Sequence, residues 1–257
     1  MKKSISPFAY AQARLQARHG QRPAEHVWFQ LHGTGDLANY LLVVRRTSMR
    51  HWVLGMNVSH STHDIEQSLR DQLRQYIDEI ADWLPTEWRQ SVRWLSRLAD
   101  LPALQHLLAG NAAQAWMLSD PMLRDFTSEE RELRLDAIMR SDCYRLAESW
   151  QKGHSLPDAW LDHWQQLLPD NSLNEDGIRQ MIRLYREHLS LPSDRKIVDT
   201  AQQRLQLETR LTSLFRHHSF QATAAFAHLG LVALDLGRLR SDLVRRALFP
   251  ETMKEAS

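Results

Sequence analysis

The residues best suited to chemistry are the histidines and carboxylates of the stretch "HSTHDIE", namely His60, His63, Asp64 and Glu66. A histidine and a carboxylate three residues apart share one face of a helix, where they could ligate a divalent metal ion. The stretch lacks the two histidines four residues apart, with an intervening glutamate, that define a zinc-hydrolase motif. Two interpretations stay open: a metal-dependent enzyme that uses His60, His63 and Asp64, or a helix start capped by Ser61 and Asp64.

Other reactive residue types lack the neighbours that catalysis needs. The adjacent His217 and His218 point about 100° apart on a helix, so they cannot chelate one ion together. Cys143 follows Asp142, and an acidic neighbour raises the pKa of a thiol and disfavours a nucleophile. The stretch "HGTGD" lacks the length and the lysine of a phosphate-binding loop, and no Gly-x-Ser-x-Gly elbow occurs. The motifs therefore predict a protein that is not an enzyme, with no catalytic residue, cofactor or metal.

The elements that would position these residues are predicted to be helices. Glycine accounts for 9 of the 257 residues, about half the usual ~7%, and apolar residues recur every three or four positions. We predict an all-α fold of about twelve helices, with three consecutive ones over residues 62–110. Residues 47–59 are predicted to form a loop or one short strand. The strongest helical pattern consists of Ile65, Leu69, Leu73, Tyr76, Ile77, Ile80 and Trp83.

Later segments extend the helical pattern. Thr127 and Glu130 have capping-box spacing and predict one helix over 127–150, and residues 193–217 predict a long polar helix. We expect a single all-α domain over 1–257, divided loosely into a first helical module, 1–125, and remaining modules, 126–257. The predicted inner face of the helix at 127–150 consists of Leu133, Ala137, Ile138, Tyr144 and Leu146, and the tryptophans expected in the core or at an interface are Trp83, Trp88, Trp94, Trp150, Trp160 and Trp164.

Composition limits the partners and the compartment. The 32 basic residues nearly balance 31 acidic ones, giving a net charge of +1, which does not favour nucleic acid or an anionic membrane as a partner. A single cysteine makes the cytoplasm the default compartment. Lys2 and Lys3 resemble the start of a signal peptide, but no apolar core follows them. Asp235 interrupts "LGLVALDLG", the most apolar run, so we expect membrane association only through partners.

The first helix, "FAYAQARLQARHG", combines small residues with cations. Tyr10, Arg14 and Arg18 lie beside an alanine stripe, which predicts close approach to a neighbouring helix at the short end of the usual 8–10 Å range. The arginines could then meet carboxylates of a partner or of the same module, or they could simply be exposed helix formers. The stripe consists of Ala9, Ala13 and Ala17.

Three stretches together resemble the C subunit, called d in eukaryotes, of V-type and A-type rotary ATPases. The first helix is similar to the family's opening helix, and "HDIEQSLRDQLRQYIDEIADWLP" followed by "LADLPALQHLLAG" is similar to its next unit. "ALDLGRLRSDLVRRALFP" is similar to the closing helix. Ala103 replaces an asparagine of the family pattern. The matching residues are Phe8, Tyr10, Ala13, Arg14, Leu15, Arg18, Asp100, Leu104, Leu107, Leu108, Asp235, Arg238, Leu239, Arg240, Arg245 and Arg246.

The resemblance implies a shortened bacterial member of a family of funnel-shaped proteins built from stacked, pseudo-repeated helical modules. Such proteins do not catalyse a reaction. They sit on the cytoplasmic face of the membrane proteolipid ring and couple it to the central stalk of a proton- or sodium-translocating ATPase. A helical scaffold or assembly factor outside the mature complex is the alternative. The implied partner interface consists of Tyr10, Arg14, Arg18, Arg238, Arg240, Arg245 and Arg246.

Overall fold

The fold is all-α, as predicted. The computed structural model describes residues 7–189 and 197–249 and, within the second range, side chains from residue 202. Over these residues it contains helices and no strand, whereas the pseudo-repeat and the funnel shape stay predictions. The α-helices are α1 (Ala9–Gly20), α2 (Glu25–His32), α3 (Leu37–Val44), α4 (Thr62–Trp83), α5 (Thr86–Arg93), α6 (Leu101–Leu108), α7 (Ala115–Ser119), α8 (Arg131–Met139), α9 (Tyr144–Gln151), α10 (Leu156–Gln166), α11 (Asp176–Leu189), α12 (Ile197–His217) and α13 (Ala222–Leu248).

Short 3-10 segments connect several of these helices. One of them, Ser48–Val53, occupies the stretch for which a loop or a short strand was predicted, and Trp94–Asp100 joins α5 to α6. The three consecutive helices predicted over 62–110 are present as α4, α5 and α6. Met1–Lys3, residues 193–196 of the predicted polar helix and Pro250 lie outside the described residues.

The chain groups into two compact units. The first contains the residues up to Trp83 and those from Arg204 onward, and the second runs from Leu84 to Gln203. These bounds differ from the loose division at residue 125 that the sequence suggested. The expectation of a single domain stays a prediction.

The first unit is organised around α13, which packs against α1, α3 and α4. By length and composition alone α13 could cross a membrane, but 67% of its apolar stretch is buried inside the protein, as in the core helix of a folded domain. Gly230 lets α12 approach α13 closely, because a Cβ atom there would lie 3.0 Å from Cδ1 of Leu211. The apolar half of α13 therefore forms the core of this unit.

The start of α4 confirms the predicted capping box. Oδ2 of Asp64 accepts hydrogen bonds from the backbone N–H of Ser61 at 2.8 Å and from its hydroxyl at 2.7 Å. The backbone N–H of Asp64 donates in return to Oγ of Ser61 at 3.2 Å. These bonds satisfy donors that every helix start leaves open.

Tryptophan side chains join elements of the second unit. Five of the six tryptophans predicted to lie in the core or at an interface are buried in the core, and Trp83 is the one of these that belongs to the first unit. The indole N–H of Trp94 donates to the carbonyl oxygen of Trp160 at 3.2 Å, and that of Trp160 donates to the carbonyl oxygen of Trp94 at 3.3 Å. The indole of Trp164 donates to the carbonyl oxygen of Ser91 at 3.1 Å. Trp83, Trp88, Trp94, Trp160 and Trp164 are all buried, whereas Trp150 is partly exposed.

The single helix predicted over 127–150 is wrong. The chain forms α8 and α9 with a break between them, and Thr127 does not cap either helix. Its hydroxyl donates instead to the carbonyl oxygen of Arg124 at 2.6 Å. A threonine hydroxyl can bond to several nearby backbone groups, so capping-box spacing alone did not identify the helix start here.

The predicted inner face of α8 is also wrong in part, because Leu133 is 54% exposed while Arg134 is buried. The guanidinium of Arg134 donates to the carbonyl oxygens of Leu107 at 2.9 Å, Asn111 at 2.7 Å and Ser128 at 2.8 Å. The oxygens of Leu107 and Asn111 lie at and just beyond the end of α6, where carbonyl groups lack helical partners and attract a cation. The arginine therefore takes the inner position that the apolar pattern gave to leucine.

Candidate functional site

The histidines and carboxylates around residue 60 do not form a metal centre in the part of the chain that the structure describes, where no group of three or more histidine, cysteine or carboxylate side chains could hold an ion. Asp64 is engaged by Ser61, whose hydrogen bonds lower the pKa of the carboxyl group. Glu66 forms an ion pair with Arg240. The geometry therefore gives no support to the metal-enzyme hypothesis based on His60, His63 and Asp64.

Cys143 is buried, and burial raises the pKa of its thiol to about 12. Arg97 acts in the opposite direction, and the carboxyl group of Asp142 adds to the increase. The sequence also predicted a raised thiol pKa from the neighbouring Asp142, although burial is the larger cause of the increase. Such a thiol is almost fully protonated at neutral pH, so it is a poor nucleophile.

Helix α1 has an inner and an outer face. Its buried residues are Ala11, Gln12 and Leu15, whereas Ala13 and Ala17 of the alanine stripe are exposed. Among the described residues these two alanines are therefore not buried against a neighbouring helix, and the close approach of the stripe to a neighbour stays a prediction. The inner face packs instead on α4 and α13, because it carries Leu15, the large apolar residue of this helix.

Tyr10 and Arg14 form an ordered pair on the outer side of α1. Nη1 of Arg14 donates to the hydroxyl of Tyr10 at 2.9 Å, and the tyrosine is 61% exposed. The guanidinium carbon of Arg14 lies 4.9 Å from the ring centroid of Trp83 on α4, within the range of a cation–π interaction. An aromatic ring and a cation are thus held together at the surface.

Arg18 joins α1 to α4. Its Nη2 donates to both carboxylate oxygens of Glu79, at 2.8 and 3.0 Å. The side chain of Arg18 is 34% exposed, and its guanidinium carbon lies 5.6 Å from the ring centroid of Tyr76. One of the predicted interface arginines is therefore paired within its own unit.

Arg22, which no sequence pattern singled out, pairs with two carboxylates of the first unit. Its Nε donates to Oδ2 of Asp235 at 2.7 Å, and its Nη2 donates to Oδ1 of Asp235 at 3.0 Å and to Glu208 at 3.1 Å. Burial raises the pKa of Asp235 although the hydrogen bonds from Arg22 lower it in part. In the sequence, Asp235 was the residue that pointed to a buried ion pair, because an aspartate in an apolar helix needs a partner.

The arginines of α13 are also engaged within the first unit. Arg238 donates to both oxygens of Glu25 at 3.1 Å, and its guanidinium carbon lies 4.5 Å from the ring centroid of Trp28. Arg240 pairs with Glu66, and Arg245 pairs with Asp242 at 3.2 Å. These pairs are partly exposed, so their cations remain at the surface.

Arg246 differs from the other predicted interface arginines, because it is only 1% exposed. Its Nη2 donates to the carbonyl oxygens of Thr34 at 2.9 Å and Leu31 at 3.3 Å, at the end of α2. Its guanidinium carbon lies 4.1 Å from the ring centroid of Tyr40. The side chain therefore belongs to the interior of the first unit and holds the end of α13 against α2 and α3.

Two histidines lie inside the first unit. Nε2 of His228 is hydrogen-bonded to the hydroxyl of Tyr76 at 2.8 Å. Burial, with smaller contributions from His19, Arg22 and Arg18, lowers the pKa of His228 to about 3. The ring of His19 stacks on Phe215 with 4.1 Å between centroids, and its pKa is lowered by burial as well. Both imidazoles are therefore neutral at pH 7.

A cleft opens to solvent beside this polar cluster, within the first unit. Its walls come from the end of α1, the 3-10 segment Ser48–Val53, α4 and α13. The side chains that line it include Arg18, Arg22, Trp52 and Tyr76. It combines aromatic walls with two guanidinium groups.

No family model, characterised protein or solved structure matches this chain. The family resemblance therefore depends on the quoted stretches.

Proposed function

We propose that this chain is a non-catalytic subunit of a V/A-type proton- or sodium-translocating ATPase, in which it couples the central stalk to the membrane proteolipid ring. The observation that carries the proposal is the assembly of three family-like helices, α1, α4 and α13, into one compact unit. Residues of the resemblance take part in that assembly, since Arg18 pairs with α4 and Asp235 pairs with Arg22 at the end of α1.

A coupling subunit has to transmit torque without deforming, so its helices should be firmly joined. Ion pairs link several helices of the first unit in this way. Ion pairs join α1 to α4 and the end of α1 to α12 and α13. The pair of Arg22 with Asp235 is buried at both partners, 13% and 14% exposed, and removing one partner of a buried pair has a large free-energy cost. These connections support the proposed mechanical role.

The surface proposed to meet the partner contains Tyr10 and Arg14, with the exposed alanines of α1 beside them. Aromatic residues and arginine are enriched in protein interfaces, and small side chains let a partner helix approach closely. The charged rim is proposed to include Arg18, Arg238, Arg240 and Arg245, whereas the buried Arg246 is not part of it.

The proposed partners are the central-stalk subunits and the proteolipid ring, with the chain on the cytoplasmic face of the membrane and no direct contact with lipid or nucleic acid. Affinity purification of the tagged chain from detergent-solubilised membranes of its own host tests this assignment. We expect ATPase head, stalk and ring subunits in stoichiometric amounts, identified by mass spectrometry. Recovery without any of these subunits would contradict the proposal, and recovery only with an incomplete complex would support an assembly factor instead.

Arg14→Glu tests the proposed surface, because it reverses an exposed charge and removes the hydrogen bond to Tyr10. Arg140→Glu is the matched control, since Arg140 is 79% exposed on another helix and also forms a surface ion pair, with Asp136. We expect Arg14→Glu to reduce recovery of the ATPase subunits roughly tenfold or more, as loss of an interface anchor does, and Arg140→Glu to leave it unchanged. Equal recovery with both variants, at unchanged circular dichroism, would exclude this surface.

A further inference from the structure

Several side chains that line the cleft of the first unit carry hydrogen-bond donors that no described residue uses. Arg22 uses Nε and Nη2 for its carboxylates, and its Nη1 has no hydrogen-bond partner among the described residues. Arg18 uses only Nη2, so its Nε and Nη1 likewise have no hydrogen-bond partner among the described residues. The indole N–H of Trp52 also lacks a partner within residues 7–189 and 197–249. All of these groups can donate and none can accept.

The carboxylates around the cleft hold the two guanidinium groups in place. Asp235 and Glu208 fix Arg22, whose side chain is 13% exposed, and Glu79 fixes Arg18. A guanidinium carries five N–H donors in a rigid plane, so one part can bind a carboxylate of the protein while the rest stays available. The ion pairs therefore hold Arg18 and Arg22 in place and leave some of their N–H groups without a partner.

The acceptors in the cleft are fewer. Nδ1 of His51 lies 3.1 Å from the carbonyl oxygen of Ser48, an arrangement in which the ring nitrogen is the donor and Nε2 is the acceptor. The hydroxyl of Ser48 and the amide of Gln21, which also line the cleft, can act either way. Both oxygens of Asp235 already accept from Arg22. A ligand that suits this cleft must therefore supply acceptor atoms.

We infer that the cleft is a binding site for an oxyanion, a carboxylate or a phosphate group, held by the free N–H groups of Arg18, Arg22 and Trp52. Hydrogen bonds from charged donors to oxyanions are short and about twice as strong as those between neutral groups. Trp52 and Tyr76 provide apolar walls for the body of the ligand. The inference does not depend on the rotary-ATPase proposal.

The oxyanion could belong to a free metabolite or to an acidic side chain of a partner. A nuclear magnetic resonance titration of the ¹⁵N-labelled full chain separates these sources, with the indole resonance of Trp52 assigned through Trp52→Phe. The probes are sodium glutarate, sodium phosphate and the blocked peptide Gly-Glu-Gly, each at constant ionic strength maintained with sodium chloride. We expect a saturable shift of the Trp52 resonance. Saturation by glutarate or phosphate indicates a soluble ligand, and saturation by the peptide alone indicates a partner's carboxylate.

Two substitutions on α1 test the assignment of the donors. Arg18→Gln removes the cation that lines the cleft, and we expect it to weaken binding of the saturating probe roughly tenfold or more. Arg46→Gln is the control, because Arg46 is an exposed arginine of the same unit that does not line the cleft, and we expect it to leave the affinity unchanged. Arg18→Lys retains the charge but loses the planar fork, so it should weaken binding less than Arg18→Gln while the fold is kept.

Three results would overturn the inference. The first is the absence of a saturable Trp52 shift with every probe. The second is an equal affinity in Arg18→Gln and Arg46→Gln. The third is a shift of Trp52 that sodium chloride alone reproduces at the same ionic strength, because a site built from directed donors should discriminate an oxyanion from chloride. Circular dichroism of each variant verifies that the fold is retained.

Discussion

Two kinds of polar contact join the helices of the compact units, and they should respond differently to pH. The first unit contains groups that titrate, such as His228, His19 and Asp235, and it joins its helices through arginine–carboxylate pairs. In the second unit, Trp94 and Trp160 bond to backbone carbonyl oxygens across two elements, and Arg134 does the same. Backbone carbonyl groups do not ionise, so the second kind of connection is insensitive to pH. The second unit also contains a charged cluster, in which the buried Arg97 pairs with Asp100 and Asp142, so the comparison is between two kinds of contact and not between a charged and an uncharged unit.

The largest expected effect is on the ion pair of the first unit. Arg22→Leu leaves the buried Asp235 without its partner and should lower the free energy of unfolding by roughly 3–5 kcal/mol. The double variant Arg22→Leu/Asp235→Leu should recover most of that loss, because only Glu208, whose side chain is 43% exposed, then loses a partner. Urea unfolding followed by circular dichroism measures both values.

Arg240→Leu is the matched control for this pair, since Arg240 is a largely exposed arginine of the same unit, paired with Glu66. It should change the free energy of unfolding by less than about 1 kcal/mol. If Arg22→Leu were as mild as Arg240→Leu, the first unit would not depend on its buried charges and the comparison would fail.

The corresponding test of the second unit is Trp160→Phe. The substitution removes the indole N–H that donates to the carbonyl oxygen of Trp94 and leaves a space in a fully buried site. We expect a loss of about 2–3 kcal/mol in the free energy of unfolding. The loss should be the same at pH 7 and pH 5, because none of the affected groups titrates there. A loss that depends strongly on pH would contradict the proposed difference between the two kinds of contact.

A decrease in pH should destabilise the first unit through His228. Its pKa is lowered from 6.5 to about 3 in the folded chain, so below pH 6.5 the unfolded chain binds a proton that the folded chain excludes. The contribution of this pKa shift to the free energy of unfolding is therefore fully present above pH 6.5 and is lost as the pH falls toward 3. The loss between pH 7 and pH 5 is about 2 kcal/mol. Asp235 acts in the opposite sense, since its raised pKa favours the folded chain in acid.

His228→Gln isolates the contribution of His228, because an amide can keep a hydrogen bond to Tyr76 without titrating. Urea unfolding of this variant should show a smaller loss of stability between pH 7 and pH 5 than the natural chain. The same loss in both chains would assign the pH dependence to other groups.

The smallest expected effect is at the start of α4. Ser61→Ala removes one side of the capping box and should lower the free energy of unfolding by about 1 kcal/mol. The matched control is Ser59→Ala, two residues earlier, whose hydroxyl bonds to Asn57 outside the helix. Thermal unfolding of the two variants should give a lower midpoint for Ser61→Ala. Equal midpoints would show that the cap contributes nothing measurable.

The sequence predicted the helices well where the apolar period was regular, as in α4, because a periodic face must be buried. The apolar pattern was misleading in α8, where Arg134 displaced Leu133 from the interior to satisfy carbonyl groups distant in sequence. Arg22 was missed for a similar reason. Its partner Asp235 lies in α13, and no local pattern records a pairing between such distant positions. Exposure of Ala13 and Ala17 likewise depended on which face of α1 met α13.

The measurement that tests the proposed function most directly is ATP-driven ion uptake into inverted membrane vesicles from a strain that lacks this chain. A coupling subunit is needed for transport and not for ATP hydrolysis by the head. We therefore expect hydrolysis to persist, ion uptake to be lost, and uptake to return when the chain is supplied again. Normal ATP-driven ion uptake in the deletion strain would contradict the proposed function.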